Sequence, residues 1–240
     1  MGDLYIGTPK QKVSLMFDTG SAPIWVYDES KCGFNCPSRS DSYKSSKSSS
    51  FEYDSSQPDD QDLSYALGYV SGRASFDKVC FGDDDGSACL SKVQFLDVDS
   101  ASGTSNYQSA GFVGLGPKTY REGFIEAFLP QIEAESEKMK PIFSFYFTDS
   151  TLKKGKLIFG GYDLEKFAKP DLTEKDIFWA PLEGNPYYWT VNMNDLAYAG
   201  KSVIQESRKL ILDTGMSFSI IPEADMNLIV SSLEEHGVSL

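Results

Sequence analysis

Short runs rich in Val, Ile, Phe and Tyr alternate with polar segments that contain Gly, Pro, Ser or Asp along the 240-residue chain. This pattern is typical of β-strands joined by turns, and it predicts a mainly β fold with brief helices. Two of the apolar runs, residues 14–17 and 209–212, are each followed directly by the tripeptide Asp-Thr-Gly.

Polar patterning predicts where the first half of the chain is exposed. Residues 38–50 hold eight Ser in 13 positions and residues 54–62 are acid-rich, so both are predicted to be surface loops. A strand pattern returns over residues 63–81, with residues 68–72 predicted as a hairpin tip. Strands are predicted in two further apolar segments, residues 143–147 and 156–159.

Helical spacing occurs in two places. A capping-box pattern at Thr119 and apolar residues at helical intervals predict a helix over residues 121–138, which Pro130 would bend or split. A last helix is predicted to begin at Pro222 and to carry three apolar residues on one face: Met226, Ile229 and Leu233.

Composition narrows the classes of partner. With 35 acidic and 22 basic residues the formal net charge is −13, which argues against a nucleic acid or an anionic membrane as partner. No apolar run reaches the length that spans a bilayer. An acidic environment suits this charge, because protonation of surface carboxylates relieves their mutual repulsion.

Four cysteines suggest an oxidising compartment. Cys32 and Cys36 bracket three residues, and Cys80 and Cys89 bracket a Gly- and Asp-rich turn, so two local disulfides would use every thiol. The alternative is a zinc site, but the spacings match no zinc finger and the chain has one His. Disulfides imply a secretory or vacuolar route, although no targeting segment follows Met1.

The repeated tripeptide is the strongest indication of chemistry. Asp18 and Asp213 each follow a predicted buried strand and precede a Gly turn, so their carboxylates could converge on one water molecule. Their separation suits two similar lobes, each of which contributes one Asp at the seam. A lone Asp-Thr-Gly is more often an ordinary turn, so the hypothesis depends on the pair.

Further landmarks occur in order along nearly the whole chain. They are Tyr5-Ile6-Gly7-Thr8-Pro9, Phe17-Asp18-Thr19-Gly20-Ser21, Ile24-Trp25-Val26, the Ser-rich segment ending at Phe51, Leu63-Ser64-Tyr65 with Gly68 and Gly72, Gly111-Phe112-Val113-Gly114, the strand from Gly155 to Gly161, and Tyr188-Trp189. Together these motifs resemble the pepsin and cathepsin D family of aspartic endopeptidases.

The resemblance implies a bilobal, mainly β pepsin-like fold. Residues 1–160 would form the N-terminal lobe, with the first Asp-Thr-Gly loop and a flap. Residues 161–240 would form an incomplete C-terminal lobe with the second loop. The chain would then be truncated at both ends, without signal or propeptide, and whether this chain alone is active is left open.

The resemblance also assigns roles. Asp18 and Asp213 would share one proton and activate a water that hydrolyses peptide bonds at acidic pH, without metal or cofactor. The expected support for this dyad comes from Thr19, Gly20, Ser21, Thr214 and Gly215. Tyr65 on the flap would reach towards Trp25, and Met16, Tyr65 and Phe112 would line a pocket for large hydrophobic side chains.

Met216 and the truncation favour an alternative, a catalytically inactive aspartic-protease-like binding protein or a non-functional fragment. Met216 stands where a hydroxyl residue is usual, and Ala66 replaces a flap Gly. The interpretation as an enzyme expects a monomer acting on peptide or protein substrates, in a lysosome or vacuole or outside the cell. The sequence does not specify the substrate or the compartment.

Overall fold

The structure is a computed structural model. It describes residues 1–33, 36, 41–65, 68–119, 124–135, 139–140, 142–148, 155–184 and 186–238. Ala66, both ends of the helix predicted over residues 121–138, and parts of the Ser-rich segment lie outside the described residues.

Strands dominate the described residues, which confirms the prediction of a mainly β fold. The strands are β1 (Gly2–Ile6), β2 (Gln11–Asp18), β3 (Ile24–Tyr27), β4 (Glu52–Tyr53), β5 (Gln61–Tyr65), β6 (Gly68–Cys80), β7 (Cys89–Ser102), β8 (Gly111–Gly114), β9 (Phe143–Tyr146), β10 (Lys156–Phe159), β11 (Thr190–Met193), β12 (Leu196–Tyr198), β13 (Lys201–Ile204) and β14 (Arg208–Ile211). The α-helices are α1 (Glu29–Cys32), α2 (Phe128–Glu135), α3 (Leu164–Phe167) and α4 (Glu223–Glu235), and Ser45–Lys47 and Glu174–Asp176 are 3₁₀ turns.

Strands β1 to β8 form one mixed sheet in the order β1-β2-β8-β3-β7-β6-β4, with β5 beside β6. A further pairing of β1 with β6 closes the sheet on itself. Pairing is parallel for β2 with β8 and for β3 with β7, and the other pairs are antiparallel. The remaining strands pair two by two, as β9/β10, β11/β14 and β12/β13.

Alternation explains the burial of strand β2. Val13 and Leu15 are fully buried, whereas their neighbours Lys12 and Ser14 face outward, as the two-residue period of a strand requires. These residues belong to the larger of two cores. The second core, next to the Asp18 loop, contains Trp25, Tyr27, Val70, Leu96, Phe112 and Ile125.

Two local predictions for the first half of the chain are corrected. Residues 68–72 are the returning strand β6 and not a hairpin tip, because Tyr65 pairs with Gly68 and Gln61 with Gly72. The Ser-rich segment is not wholly a surface loop, since Tyr43 is completely buried and donates to Asp77 Oδ2 at 2.5 Å.

Helix α2 begins at Phe128, later than predicted. Residues 125–127 are already committed to other contacts, because the Thr119 hydroxyl donates to the Ile125 carbonyl and the Glu126 amide donates to Gln94 Oε1. Pro130 then falls in the first turn of α2, where its missing N–H costs no helical hydrogen bond.

The last helix is confirmed, with Pro222 as its N-cap residue. Its buried residue is nevertheless Asp225. Met226, predicted on the apolar face, is 42% exposed. Among the described residues no helix is long and apolar enough to cross a membrane.

Candidate active site

The two Asp-Thr-Gly loops meet in the structure. Asp18 is the last residue of β2, and Asp213 follows β14 by two residues. Asp18 is 5% exposed, and its carboxyl group lies next to that of Asp213, since a Cβ atom built on Gly215 would contact both carboxyl groups. The sequence therefore located two carboxylates that lie nearly 200 positions apart in the chain and side by side in the fold.

The threonines of the two loops bond to each other reciprocally. The Thr19 amide donates to Thr214 Oγ1 at 3.1 Å, and the Thr214 amide donates to Thr19 Oγ1 at 2.9 Å. Each hydroxyl then donates across the seam to the carbonyl of the residue before the opposite Asp, Leu212 at 2.6 Å and Phe17 at 2.8 Å. Four hydrogen bonds thus fix the two loops relative to each other.

The glycines allow the close approach of the carboxylates. The Gly20 amide donates to Asp18 Oδ1 and the Gly215 amide donates to Asp213 Oδ1, both at 2.8 Å. A Cβ atom on Gly20 would overlap the Asp213 carboxylate, and one on Gly215 would overlap that of Asp18. Gly is therefore required at both positions for steric reasons.

The electrostatics of Asp18 favour retention of a proton. Burial and the neighbouring Asp213 carboxylate raise the pKa of Asp18 to about 6, although hydrogen bonds from Ser21 and Gly20 oppose the shift. The Ser21 hydroxyl donates to Asp18 Oδ2 at 2.5 Å. Protonation of Asp18 is therefore favoured as the pH falls below about 6.

The β5/β6 hairpin brings Tyr65 over this site. Trp25 Nε1 donates to the Tyr65 hydroxyl at 2.8 Å. Burial, followed by the charge of Asp18, raises the pKa of the Tyr65 phenol. Trp25 is fully buried, so it is both a core residue and the hydrogen-bond partner of Tyr65.

An aromatic group extends from Tyr65 into the second core. The Phe112 ring stacks on Trp25 with a centroid distance of 4.9 Å and lies 5.3 Å from Tyr65, while Met16 packs against the same cluster. Tyr107 lies 5.0 Å from Phe112 and close enough to Asp18 that burial and this charge raise its pKa. The sequence analysis missed Tyr107, because a single Tyr in a polar segment carries no distinguishing pattern.

The two loops differ in one hydroxyl. Ser21, which follows the first tripeptide, bonds to Asp18, whereas the residue that follows the second tripeptide is Met216, 38% exposed. Met216 has no hydroxyl to offer, and Ser217 is exposed. The surroundings of the two carboxylates are therefore not equivalent.

Both predicted disulfides are present, joining Cys32 to Cys36 and Cys80 to Cys89. Within the described ranges, no cluster of three or more His, Cys, Asp or Glu side chains could hold a metal ion. The zinc alternative for these cysteines is thus overturned by their pairing.

An apolar cavity of about 170 Å³ lies elsewhere, between α2, the β9/β10 pair and Trp189. Its lining contains none of the predicted site residues. Trp189 Nε1 donates to the Leu115 carbonyl, so one cavity wall adjoins the segment after β8. The carboxylate geometry, and not this cavity, defines the candidate site.

Comparison with known proteins places the chain in a family. Residues 1–239 match the family model of the eukaryotic aspartyl protease, and the chain therefore belongs to the eukaryotic aspartyl protease family. It is 31% identical to rhizopuspepsin of Rhizopus chinensis, over 99% of this chain and 57% of that protein. It is 29% identical to aspartic proteinase A3 of Arabidopsis thaliana, over 99% of this chain and 45% of that protein.

Pepsin A of Gallus gallus is 28% identical, over 99% of this chain and 61% of its own length. The chain thus spans about half the length of the curated relatives it matches. These relatives are named as aspartic proteinases and pepsins, which agrees with the resemblance derived from the motifs.

Proposed function

We propose that the protein is an aspartic endopeptidase that hydrolyses peptide bonds at acidic pH with Asp18 and Asp213 as its catalytic dyad. The observation that carries this proposal is the close approach of the two carboxyl groups, fixed by the reciprocal Thr19 and Thr214 bonds. Membership of the aspartyl protease family supports the reaction class.

Two adjacent carboxylates cannot both ionise readily, so the dyad holds one proton over a range of acidic pH. The ionised carboxylate then acts as general base towards a water molecule bound between the pair. The protonated carboxyl donates to the oxygen of the scissile carbonyl as that oxygen gains charge. The proton belongs to the pair and not to one residue.

Tyr65 and its neighbours supply the proposed peptide-binding surface. The hairpin that carries Tyr65 would close over bound peptide and exclude water, which strengthens the electrostatic interactions at the dyad. The apolar surface formed by Met16, Tyr65 and Phe112 favours large hydrophobic side chains next to the cleaved bond.

The proposal extends to the lobes, the oligomeric state, the partners and the compartment of the protein. Residues 1–160 would form the first lobe and residues 161–240 would contribute to the second. The enzyme would act as a monomer on peptides or proteins, with no nucleic acid or membrane partner. Its acidic charge and two disulfides favour a lysosome, a vacuole or secretion.

Met216 favours a second candidate function, peptide binding without hydrolysis. Met216 has no hydroxyl group, so it cannot give Asp213 the hydrogen bond that Ser21 gives Asp18. The loss of a hydrogen bond to a charged group costs about 1.5–3 kcal/mol.

The decisive experiment is the cleavage of a denatured globular protein between pH 3 and 5. We expect Asp18→Asn and Asp213→Asn each to abolish cleavage. An amide can act neither as the general base nor as the proton donor, so the pair can no longer share one proton between two carboxyl groups. Asp163→Asn, which removes a carboxylate that caps α3, is the matched control and should cleave like the parent. Cleavage by folded Asp213→Asn protein would contradict the dyad, and peptide binding without cleavage by the parent would establish the second candidate.

A further inference from the structure

The strand that leads to Asp213 is weakly supported by packing. Strand β14 pairs with β11 over four residues, and Leu210, Ile211 and Leu212 remain 39%, 51% and 53% exposed. Residues 216–220, which follow the tripeptide, are all exposed as well. Buried apolar contacts therefore do little to fix this loop.

One ion pair joins the two ends of that loop. Arg208, the first residue of β14, donates from Nε to Asp225 Oδ2 at 2.9 Å and from an Nη atom to Asp225 Oδ1 at 3.0 Å. Asp225 lies in the first turn of α4 and is 3% exposed. Arg208 also donates to Glu206 at 2.8 Å, so both sides of its guanidinium are held.

The two hydrogen bonds from Arg208 to Asp225, called the fork below, close a loop that contains Asp213. At the base, Arg208 binds Asp225, and at the tip the Thr214 amide and hydroxyl bind Thr19 and Phe17. The pairing of β14 with β11 holds one edge of this loop, and the Leu212 amide donates to the Trp189 carbonyl. The loop could still tilt about that edge, and a further fixed point at its base opposes the tilt. Small displacements matter here, because about 1 Å of misplacement of a catalytic group can cost about 100-fold in rate.

We propose that Arg208 is a positioning residue for Asp213, acting through its two-bond pairing with Asp225. The proposal rests on the proposed function, since it assigns Arg208 to the orientation of the dyad. A planar guanidinium fixes both the distance and the direction of a carboxylate, which a Lys ammonium cannot do.

The fork is suited to an acidic environment. The Arg208 hydrogen bonds lower the pKa of Asp225, and Asp225 with Glu206 raises the pKa of Arg208. Asp225 therefore stays ionised at a pH where ordinary carboxylates begin to protonate. Within the described part of the chain, Glu206 is the one further charged group that forms an ion pair with Arg208 or Asp225.

The test compares Arg208→Lys and Asp225→Asn with the parent in cleavage assays across pH 3 to 6. Both changes break the fork with little change in side-chain volume. We expect kcat to fall about 10- to 100-fold with KM within about twofold, and the acid limb of the pH profile to move. The double variant should be no worse than either single variant, because both remove one interaction.

Hydrogen exchange gives a readout that does not depend on activity. We expect the Thr214 and Gly215 amides to exchange several-fold faster in both variants, while residues 11–18 stay unchanged. Lys12→Ala is the matched control, because it breaks the Lys12–Asp3 ion pair on the strand that carries Asp18, which is paired on both sides. It should change neither readout.

The outcomes separate the two proposals. A parent without peptidase activity contradicts the proposed function, and the exchange data then decide about the fork alone. Unchanged exchange at Thr214 and Gly215, additive losses of activity, or a raised KM with constant kcat in folded variants would overturn the positioning role. Melting curves of both variants establish that they are folded.

Discussion

The two Asp-Thr-Gly loops are alike at their tips and differ in the strands that support them. At the tips the hydrogen bonds repeat almost atom for atom, from the glycine amides to the crossed threonine hydroxyls. Below Asp18, strand β2 lies between β1 and β8 with Leu15 fully buried. Below Asp213, strand β14 pairs with β11 and leaves Leu210 at 39% exposure.

This difference separates two physical tasks. The tripeptide itself creates the local geometry, because Asp accepts from the Gly amide and Thr reaches across the seam. The sheet supplies rigidity, which depends on how much apolar surface each strand buries. A short motif therefore determines the contact of the carboxylates, and distant residues determine how firmly the contact is held.

The largest expected effect comes from a matched pair of leucines, each three residues before the Asp of an Asp-Thr-Gly loop. We expect Leu15→Ala to lower the free energy of unfolding by about 2–5 kcal/mol, because it leaves a cavity in a closed core. Leu210→Ala should cost less than about 1 kcal/mol, since its side chain is partly solvated. Urea denaturation followed by circular dichroism measures both.

Equal losses for the two leucines would contradict the comparison, because they would show that both strands are supported by comparable packing. Unfolding in two separate transitions would sharpen the comparison. It would indicate that the weakly packed region around β14 loses structure before the closed sheet.

A smaller effect concerns the pH dependence of stability, which involves two buried carboxyl groups, Asp28 directly after β3 and Asp97 in β7. Burial, and then the Asp28 carboxylate, raises the pKa of Asp97 to about 7, although Lys31 bonds to it and opposes the shift. Asp28 has a lowered pKa, because hydrogen bonds from Ser30 and Ser45 outweigh its burial. Asp97 Oδ1 is buried without a hydrogen-bond partner among the described residues.

The folded protein thus binds a proton at Asp97 that the unfolded chain, with an ordinary pKa near 4, releases. The stability contributed by this proton is complete below about pH 4 and is lost as the pH rises to about 7, at up to about 1.4 kcal/mol per pH unit. Asp97→Asn should flatten the stability curve between pH 4 and 7. A variant that keeps the parent's slope in chemical denaturation would exclude Asp97 as its source.

The sequence anticipated what depends on local pattern. The paired tripeptides, the β9/β10 strands and the helix that follows Pro222 all follow from residue types at fixed spacing. It failed where tertiary contacts compete with local preference. Helix α2 starts late because Thr119 and Gln94 bond to the segment before Phe128, and Tyr43 is buried because its ring fills the core.

The sequence missed three residues near the two loops for the same reason. Arg208 and Asp225 are 17 positions apart in a chain with many charges, and no motif joins them. Tyr107 gains significance from its contact with Phe112 and its proximity to Asp18. Such pairs become visible only when the fold brings their side chains together.

The smallest expected effect tests the hydroxyl that distinguishes the two loops. Met216→Ser gives the second loop the counterpart of Ser21, whose hydroxyl bonds to Asp18 at 2.5 Å. We expect the new hydroxyl to donate to Asp213 and to raise kcat by a few-fold, because a charge-assisted hydrogen bond orients the carboxylate and favours its ionised form. Met216 is 38% exposed, so the exchange removes part of a half-covered apolar side chain and should lower stability by no more than about 1 kcal/mol. Ser21→Ala is the opposite change in the first loop and should lower kcat about tenfold, since it removes an existing bond to a buried carboxylate.

Met216→Leu, which changes the side chain without adding a hydroxyl, should behave like the parent. If Met216→Ser and Met216→Leu gave the same kcat and the same pH profile, the missing hydroxyl would not limit the second loop, and the difference between the loops would lie in their supporting strands alone.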